Sequence, residues 1–457
     1  MMVHLVALSV FILLFVLSTM RPISMGILAF AAAFIVSLTV TDQPTKEVVA
    51  GFPADLFVIL VGVTLLFGFA QANGTVALLV DWGVRLIRGR VALIPWLMFV
   101  LAAVLCGIGA LGPAVLAILF PIGMAFASTH QIRPLLIAMM VGFGCTAGSF
   151  SPLGIFGILV NQSLVAADFT INTGSLFLLA FAGGLCAGIV AYFIAGGRDL
   201  LRRPVTSSRV DEQTEGALGS GATPVGRGGQ PVDGPSGGTQ TLTRGSAKPI
   251  AAHKIHKRST SLEQRLTLGA LVVLVVGAIG FGLDIGLLAM TLAAVLGLLF
   301  STTIQDATKH ISWNVVLLIG GVITYVGVLQ EAGTVEWLGE VATRIGSPAA
   351  AALVICLIAA AVSAFASTTG MLGALVPLSV PLLQMGEVGI LGFAAALSLS
   401  ASLVDTSPFS TVGAVAIASS PEDERPKVYR SLLRVGLSMI VIAPVTTWAV
   451  LVLPGWL

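Results

Sequence analysis

Two apolar stretches of this chain carry the same combination of residues, small and hydroxylated side chains followed by Ser-Pro. The first covers residues 142–157 and the second residues 398–413. Proline removes a backbone amide hydrogen and disfavours helix at the residue before it, so each stretch predicts a helix that breaks near its middle. Carbonyl groups freed at such a break can bind a cation, and the N-terminus of the next half-helix can bind an anion. A proline kink without any ligand is the structural alternative.

One acidic residue, Asp405, lies deep within the second stretch, two residues before Ser407. An ionisable side chain in the middle of a membrane is costly and therefore indicates function. We interpret Asp405 as the binding residue for a coupling cation, Na⁺ or H⁺; a protonated aspartic acid bonded to nearby serines is the alternative. The counterpart of Asp405 in the first half is Ser149, so the ion chemistry is predicted to be asymmetric. The other candidate ligands of the coupling ion, Na⁺ included, are Ser402, Thr406, Ser407 and Thr146.

Polar residues and glycines also interrupt two long apolar segments, at Gly107 to Pro113 in the first half and at Ser367 to Gly370 in the second. Hydroxyl groups and helix-end amides together suit a small oxyanion such as a carboxylate. We therefore expect the substrate site where these interruptions meet the two Ser-Pro breaks. The candidate substrate-binding residues are Ser367, Thr368, Thr369, Gly112, Pro113, Ser149, Ser151, Pro152, Ser407 and Pro408.

These stretches belong to a series of six apolar segments in each half of the chain. Many of the segments approach or exceed the roughly 18–20 residues that cross a bilayer as a helix. The fourth segment of each half is too long for one span and too short for two spans with a loop, which favours a re-entrant hairpin. The segments are 3–19, 23–41, 56–73, 92–127, 135–164 and 175–196, then 265–282, 285–301, 313–330, 349–385, 389–418 and 431–453.

The two halves repeat one another. Gly62, Gly68, Gln71 and Gly74 recur as Gly321, Gly327, Gln330 and Gly333, at a constant offset of 259 residues. Ser151, Pro152, Gly157 and Pro121 recur as Ser407, Pro408, Gly413 and Pro377, at an offset of 256 residues. Five spans per half, an odd number, require the two copies to be inverted, and such repeats are typical of transporters that alternate between two faces.

The sequence therefore predicts an all-α polytopic membrane protein with two inverted repeats. Each repeat has about five transmembrane helices plus a re-entrant hairpin and a broken helix. The N-terminal repeat covers residues 1–200, with its hairpin at 92–127 and its broken helix at 135–164. The C-terminal repeat covers residues 263–457, with its hairpin at 349–385 and its broken helix at 389–418. This arrangement puts most Lys and Arg residues on one side, which the positive-inside rule makes cytoplasmic.

Residues 201–262 are predicted to be a disordered cytoplasmic linker, because they are rich in Gly, Ser and Pro and poor in apolar clusters. Residues 74–90 and 333–346 are amphipathic, a pattern typical of helices that lie at a membrane interface. Each of these follows the third span of its half.

Composition supports a membrane protein. Hydrophobic residues make up 56% of the chain and charged residues 10%, against about 25% charged residues in soluble domains. The net charge of only +2 gives no indication of nucleic-acid binding. The four cysteines have no metal-ligand spacing and lie in apolar segments, so they indicate neither a zinc site nor a disulfide framework. No cofactor is predicted apart from the coupling ion.

The pattern of two inverted units, each with a hairpin and a broken helix, resembles the ion transporter superfamily, which includes the divalent anion:sodium symporters. Residues 1–165 resemble more closely the malonate/dicarboxylate carrier family. The residues that carry this resemblance are R-P-I-S-M-G at 21–26, G-F-P-A-D-L-F-V-I-L-V-G-V-T at 51–64, A-N-G-T-V at 72–76, R-G-R-V-A-L-I-P-W at 88–96 and G-S-F-S-P-L-G-I-F-G at 148–157.

The resemblance implies a secondary carrier for small dicarboxylates such as malonate or succinate, coupled to Na⁺ or H⁺. It also implies a multi-pass protein of the inner membrane that forms a homodimer. In the symporter relatives each hairpin tip bears Ser-Asn-Thr, whereas the second tip here reads Ser367-Thr368-Thr369 and the first lacks the motif. The resemblance therefore implies a site role for Ser367 and Thr369 and none for the side chains of Ala110 and Leu111 in the first tip.

The residues leave one alternative within the transporters and argue against an enzyme. A cation/proton antiporter or an inorganic oxyanion permease of the same superfamily is the alternative within the transporters, since one buried acid suits an antiporter. A membrane-embedded enzyme is not predicted, because the chain has no H-E-x-x-H motif and no histidine within a span beyond His4.

Overall fold

The computed structural model describes residues 2–20, 23–41, 43–86, 90–201, 261–334, 337, 347–365 and 368–455. Within these ranges all regular secondary structure is helical, which confirms the predicted all-α class. The linker between the two repeats lies outside the described residues apart from its two ends. Ser367 and most of the amphipathic stretch 333–346 also lie outside them.

The N-terminal half folds into eleven described α-helices. They are α1 (Met2–Met20), α2 (Met25–Val36), α3 (Thr45–Ala50), α4 (Ala54–Ala72), α5 (Thr75–Leu86), α6 (Ile94–Gly107), α7 (Gly112–Thr129), α8 (Pro134–Ser149), α9 (Ile155–Val165), α10 (Thr173–Ile194) and α11 (Gly197–Leu201). Helix α2 continues as a π-helical turn over Ser37–Thr41. The predicted break of the fourth segment falls between α6 and α7, and that of the fifth segment between α8 and α9.

The described part of the C-terminal half contains ten α-helices. They are α12 (Leu262–Gly280), α13 (Ile285–Leu299), α14 (Ser301–Lys309), α15 (Trp313–Glu331), α16 (Pro348–Ser363), α17 (Thr368–Leu378), α18 (Val380–Gln384), α19 (Ile390–Leu403), α20 (Thr411–Ser419) and α21 (Arg425–Thr447). The hairpin here is α16 with α17 and α18, and the broken helix is α19 with α20. Helix α14 was not predicted; it is a short surface helix that follows the second span.

Seven helical stretches among the described residues are long and apolar enough to cross a membrane. They are Thr45–Ala72, Gly112–Thr129, Thr173–Ile194, Leu262–Phe281, Trp313–Glu331, Ile390–Ser419 and Arg425–Val452. The second of these is α7, one arm of the first hairpin. Helix length therefore permits α7 to cross, and the re-entrant hairpin stays a prediction from the length of the whole segment and the distribution of charge.

Glycines let helices from opposite halves cross closely at two equivalent places. A Cβ on Gly26 in α2 would lie 2.1 Å from the Leu317 carbonyl oxygen, and one on Gly321 in α15 would lie 2.2 Å from the Gly26 carbonyl oxygen. At the other crossing, a Cβ on Gly62 in α4 would lie 2.7 Å from the carbonyl oxygen of Gly286 in α13. Close backbone approach of this kind is a common way for helices to pack in a membrane.

The hairpins and broken helices pack together and also across the two halves. Helix α6 packs on α8, and α16 packs on α19, within their own halves. Helix α7 packs on α20 of the other half, and α17 packs on α9 in the equivalent way. Both breaks and both hairpin tips are therefore held within one assembly, whose main hydrophobic core contains residues from both halves.

Candidate functional site

The two Ser-Pro breaks have the same local structure. Helix α8 ends at Ser149 and α9 begins at Ile155, while α19 ends at Leu403 and α20 begins at Thr411. A single 3₁₀ turn over Val404–Thr406 follows α19, after which Ser407 has extended backbone with ψ of 151°. Extended backbone is what a residue before proline prefers, so Pro408 explains why the helix does not continue through Ser407.

In each half, the serine of the Ser-Pro break forms a hydrogen bond that fastens the break to the hairpin of its own half. The Ser151 hydroxyl donates to the carbonyl oxygen of Gly107, the last residue of α6, at 2.5 Å. The Ser407 hydroxyl donates to the carbonyl oxygen of Ala364, which follows α16, also at 2.5 Å. A carbonyl at a helix end has lost its intrahelical partner, so each serine satisfies a group that the hairpin turn leaves open.

Glycines next to the breaks complete this shared structure. A Cβ on Gly157 would lie 2.2 Å from the Ser151 carbonyl oxygen, and a Cβ on Gly413 would lie 2.0 Å from the Ser407 carbonyl oxygen. No side chain fits at either position unless the break moves. The recurrence of Gly157 as Gly413 in the sequence thus has the same steric cause in both halves.

The carboxylate of Asp405 meets the tip of the second hairpin. The Thr368 hydroxyl, at the start of α17, donates to Asp405 Oδ1 at 2.6 Å. The Ser363 hydroxyl lies 2.8 Å from the same Thr368 oxygen. Ser363 is fully buried and Thr368 nearly so, whereas Asp405 is half-buried. A charged acceptor makes the bond from Thr368 one of the stronger hydrogen bonds available to a neutral donor.

Ser410 organises the backbone beside Asp405. Its hydroxyl hydrogen-bonds to the Asp405 carbonyl oxygen and approaches the Ser407 carbonyl oxygen at 2.8 Å. Its oxygen also accepts the backbone N–H of Gly413 at 3.4 Å, the position of an N-cap for α20. The turn between α19 and α20 is therefore closed by side-chain hydrogen bonds in place of helical ones.

The other residues predicted to bind the coupling ion use their hydroxyls differently. Thr146 donates to the Ser402 carbonyl oxygen at 3.3 Å and so joins α8 to α19. Ser402 donates to the Ser398 carbonyl oxygen at 2.7 Å, and Thr406 approaches the Leu403 carbonyl oxygen at 3.4 Å. The hydrogen-bond partner of the carboxylate is thus Thr368, which the sequence assigned to the substrate group.

The equivalent region of the first half has no carboxylate. The Ser149 hydroxyl donates to the Cys145 carbonyl oxygen of its own helix at 2.8 Å. Gly112 begins α7, and a Cβ placed there would meet no atom within 4 Å. Pro113 is exposed beside it. The first tip therefore offers open space at a helix N-terminus, where backbone amides and the helix dipole favour an anion.

The remaining predicted site residues differ in their accessibility. Thr369 is half-buried in the first turn of α17, Pro152 is half-buried, and Pro408 is buried.

Sequence reasoning did not single out Ser363 or Ser410. Ser410 could have been found as a Ser-Thr pair that opens an apolar helix, the usual signature of an N-cap. Ser363 could have been found only as a lone hydroxyl near the end of an apolar helix.

Asp405 is the only charged residue in the four segments 92–127, 135–164, 349–385 and 389–418. The oxygen atoms near Asp405 belong to carboxylate, hydroxyl and carbonyl groups. This set of oxygens fits a hard cation such as Na⁺ and also suits a proton. Within the described ranges there is no cluster of three or more His, Cys, Asp or Glu side chains.

A cleft of about 490 Å³ opens between α7 and α20, at the ends of these helices that lie away from the breaks. Its lining includes Pro121, Ser128, Ser420 and Arg425. The Arg425 guanidinium donates to the carbonyl oxygens of Ser420 at 3.0 Å and Ala418 at 3.3 Å. Arg425 thus caps the C-terminal end of α20, where a cation complements the helix dipole.

Comparison with known proteins gives matches to both halves of the chain. Residues 1–149 match the family model of the N-terminus of the dicarboxylate carrier protein MatC, and residues 288–454 match the family model of the citrate transporter. The YdaH transporter of Alcanivorax borkumensis, whose crystal structure reveals an unusual topology, is similar in fold. Its TM-score is 0.56 at 13% sequence identity, over 89% of this chain and 86% of that chain. None of the curated protein sequences matches the chain.

The helical fold and these matches define a membrane transport protein rather than an enzyme, as predicted. Within that class, the two family models that match the chain describe dicarboxylate and citrate carriers. The matches confirm the resemblance to the malonate/dicarboxylate carriers and to the wider superfamily.

Proposed function

We propose that this protein is a secondary active transporter of small dicarboxylates such as malonate or succinate, coupled to Na⁺ or H⁺. The observation that carries the proposal is the contact between Thr368 and Asp405. It joins a hairpin tip that suits a carboxylate to an acidic residue that suits a cation. The matches to dicarboxylate and citrate carriers support the same class of substrate.

The substrate is proposed to bind between the two hairpin tips and the two breaks. Gly112 offers backbone at the start of α7, and Thr369 offers a hydroxyl at the start of α17, where the neighbouring Thr368 hydroxyl is already bonded to Asp405. Ser151 and Ser407 hold the tips in place and are less free to bind substrate, because each already donates to a hairpin carbonyl. The helix N-termini at the tips then contact the two carboxylate groups of the substrate.

Charge balance supports symport. The four hairpin and broken-helix segments contain no Lys or Arg, so a bound dicarboxylate has no fixed positive partner there. Moving an uncompensated anion through a low-dielectric environment is costly. Cations that bind with the substrate and leave with it reduce that cost, and Asp405 supplies a negative group that keeps one of them next to the substrate.

The site is proposed to open alternately to the two sides of the inner membrane, with the linker on the cytoplasmic side. The cleft between α7 and α20 supports a route on the side where Arg425 and Lys427 lie. Inverted repeats provide two equivalent conformations for such a cycle. A homodimer, which the resemblance implies, belongs to the same proposal.

Uptake by the purified protein in proteoliposomes tests this function. Labelled malonate or succinate should accumulate when an inward Na⁺ or H⁺ gradient is imposed, and much less without either gradient. Empty liposomes and liposomes with arsenite or sulfate as substrate are the controls. Uptake of the inorganic oxyanion alone would instead support an oxyanion permease. Cation exchange without dicarboxylate would support an antiporter, which the single acid Asp405 also suits.

A further inference from the structure

The two halves provide an internal comparison that separates shared structure from residues present once. Ser407, Pro408 and Gly413 match Ser151, Pro152 and Gly157 at an offset of 256 residues. These residues form the same break and the same fastening bond in both halves. The first half forms this break with these residues and without a carboxylate.

Three residues of the second half have no identical residue at the equivalent position of the first half. At the same offset, Ser363, Thr368 and Asp405 correspond to Gly107, Gly112 and Ser149. The first half thus lacks the two hydroxyls and the carboxylate that make up the chain from Ser363 through Thr368 to Asp405. Ser149, the remaining hydroxyl, bonds within its own helix. The three residues therefore form one unit that the fold itself does not require.

The two hydrogen bonds in this unit run in a defined direction, from Ser363 to Thr368 and from Thr368 to Asp405. A hydroxyl group carries one hydrogen and can accept others. Since Thr368 gives its hydrogen to the Asp405 carboxylate at 2.6 Å, the hydrogen in the 2.8 Å contact between Ser363 and Thr368 comes from Ser363. The carbonyl that Thr368 would otherwise use four residues earlier belongs to Ala364, which already accepts from Ser407.

We propose that Ser363 is a positioning residue of the coupling site: it orients the Thr368 hydroxyl toward Asp405 and thereby sets the affinity for the coupling cation. This inference rests on the proposed function, since it assigns a role within the same site. Ser363 touches neither the substrate region nor the carboxylate, and its effect passes entirely through Thr368. The first half lacks this unit, so it contributes backbone to the substrate site and does not bind a coupling ion of its own.

The test is the cation dependence of uptake in a small set of variants. Ser363→Ala should raise the cation concentration needed for half-maximal uptake by about 5- to 10-fold, as expected for loss of one buried hydrogen bond. The substrate KM at saturating cation should not change. Ser363→Thr keeps the hydroxyl and should restore the wild-type cation dependence. The matched control is Ser379→Ala, which removes a buried hydroxyl of the same hairpin that bonds only to the Val376 carbonyl oxygen.

A double-mutant cycle with Thr368→Val shows whether the effect passes through Thr368. In that background Ser363→Ala should cause no further change, because the hydroxyl that it orients is gone. An unchanged cation dependence in Ser363→Ala would overturn the inference, and so would an effect of full size in the Thr368→Val background. If wild-type uptake proved independent of any cation gradient, the proposed coupling itself would fail; coupled uptake with a normal Ser363→Ala variant would refute only the positioning role.

Discussion

Replacing Gly413 with alanine should disable the second break without changing any polar group. The new Cβ would lie 2.0 Å from the Ser407 carbonyl oxygen and 2.6 Å from the Ser407 carbonyl carbon. Non-bonded atoms prefer about 3.5 Å, so the Ser407 carbonyl would have to move by more than about 1 Å. Ser407 also holds the hairpin through its hydroxyl, and its carbonyl oxygen accepts a hydrogen bond from the Ser410 hydroxyl.

The size of the effect follows from these contacts. Overpacking of this kind costs about 1–3 kcal/mol of folding free energy. A displacement of about 1 Å in a site that must bind two ligands in register lowers activity by up to about 100-fold. We therefore expect Gly413→Ala to fold and insert, with uptake reduced at least about tenfold.

The assay is dicarboxylate uptake in proteoliposomes, with size-exclusion profile and thermal stability in detergent as measures of folding. Gly157→Ala should act in the same way, since its Cβ would lie 2.2 Å from the Ser151 carbonyl oxygen. Gly269→Ala in α12 is the control, because a Cβ there meets no atom within 4 Å. Wild-type uptake in Gly413→Ala would refute the claim that the geometry of this break forms the site.

Three further predictions concern the serine bonds at the breaks, the hydroxyls of the second tip and the linker. Ser407→Ala should lower the free energy of unfolding by about 1–3 kcal/mol, because it leaves the Ala364 carbonyl without its donor, and Ser151→Ala should have a similar effect; equal stability of both variants and wild type would contradict the fastening role. Changing Ser367 and Thr369 together to alanine should raise the substrate KM, and an unchanged KM would remove these hydroxyls from the substrate site. Deleting residues 210–250 should leave uptake largely intact, and loss of activity in a well-inserted deletion variant would show that the linker takes part in transport.

The breaks were predictable from sequence because their cause is local. Proline acts on its own residue and the one before it, so Ser151 and Ser407 mark the breaks without knowledge of the fold. The division into two halves was equally accessible, since identical residues recur at a fixed offset. Asp405 was conspicuous because the four segments around the site contain no other charge.

The partners of the hydroxyl groups were not predictable, because a serine or threonine in a helix can always bond to a carbonyl of its own helix. Ser402 and Ser149 do so, whereas Thr368 reaches a different element and meets Asp405. That outcome depends on how α17 packs beside the break after α19. Sequence spacing alone favoured Ser402 as a ligand, since it lies three residues before the acid.

The crossings between halves were also hidden from the sequence. Gly26 and Gly321 are small residues in apolar helices, and nothing in their spacing says that they meet. Contacts between residues almost 300 positions apart depend on the whole fold. Short connecting helices such as α14 were missed for a different reason: their polar composition gives no hydropathy signal.

The central claim is that Asp405 couples cation binding to dicarboxylate transport, and Asp405→Asn tests it most directly. The measurement is uptake of labelled dicarboxylate by wild type and variant in proteoliposomes, with an imposed Na⁺ or H⁺ gradient and with equal amounts of folded, inserted protein. The account predicts that wild type concentrates the dicarboxylate when the gradient is present and that Asp405→Asn does not. Gradient-driven accumulation by Asp405→Asn at the wild-type level would contradict it.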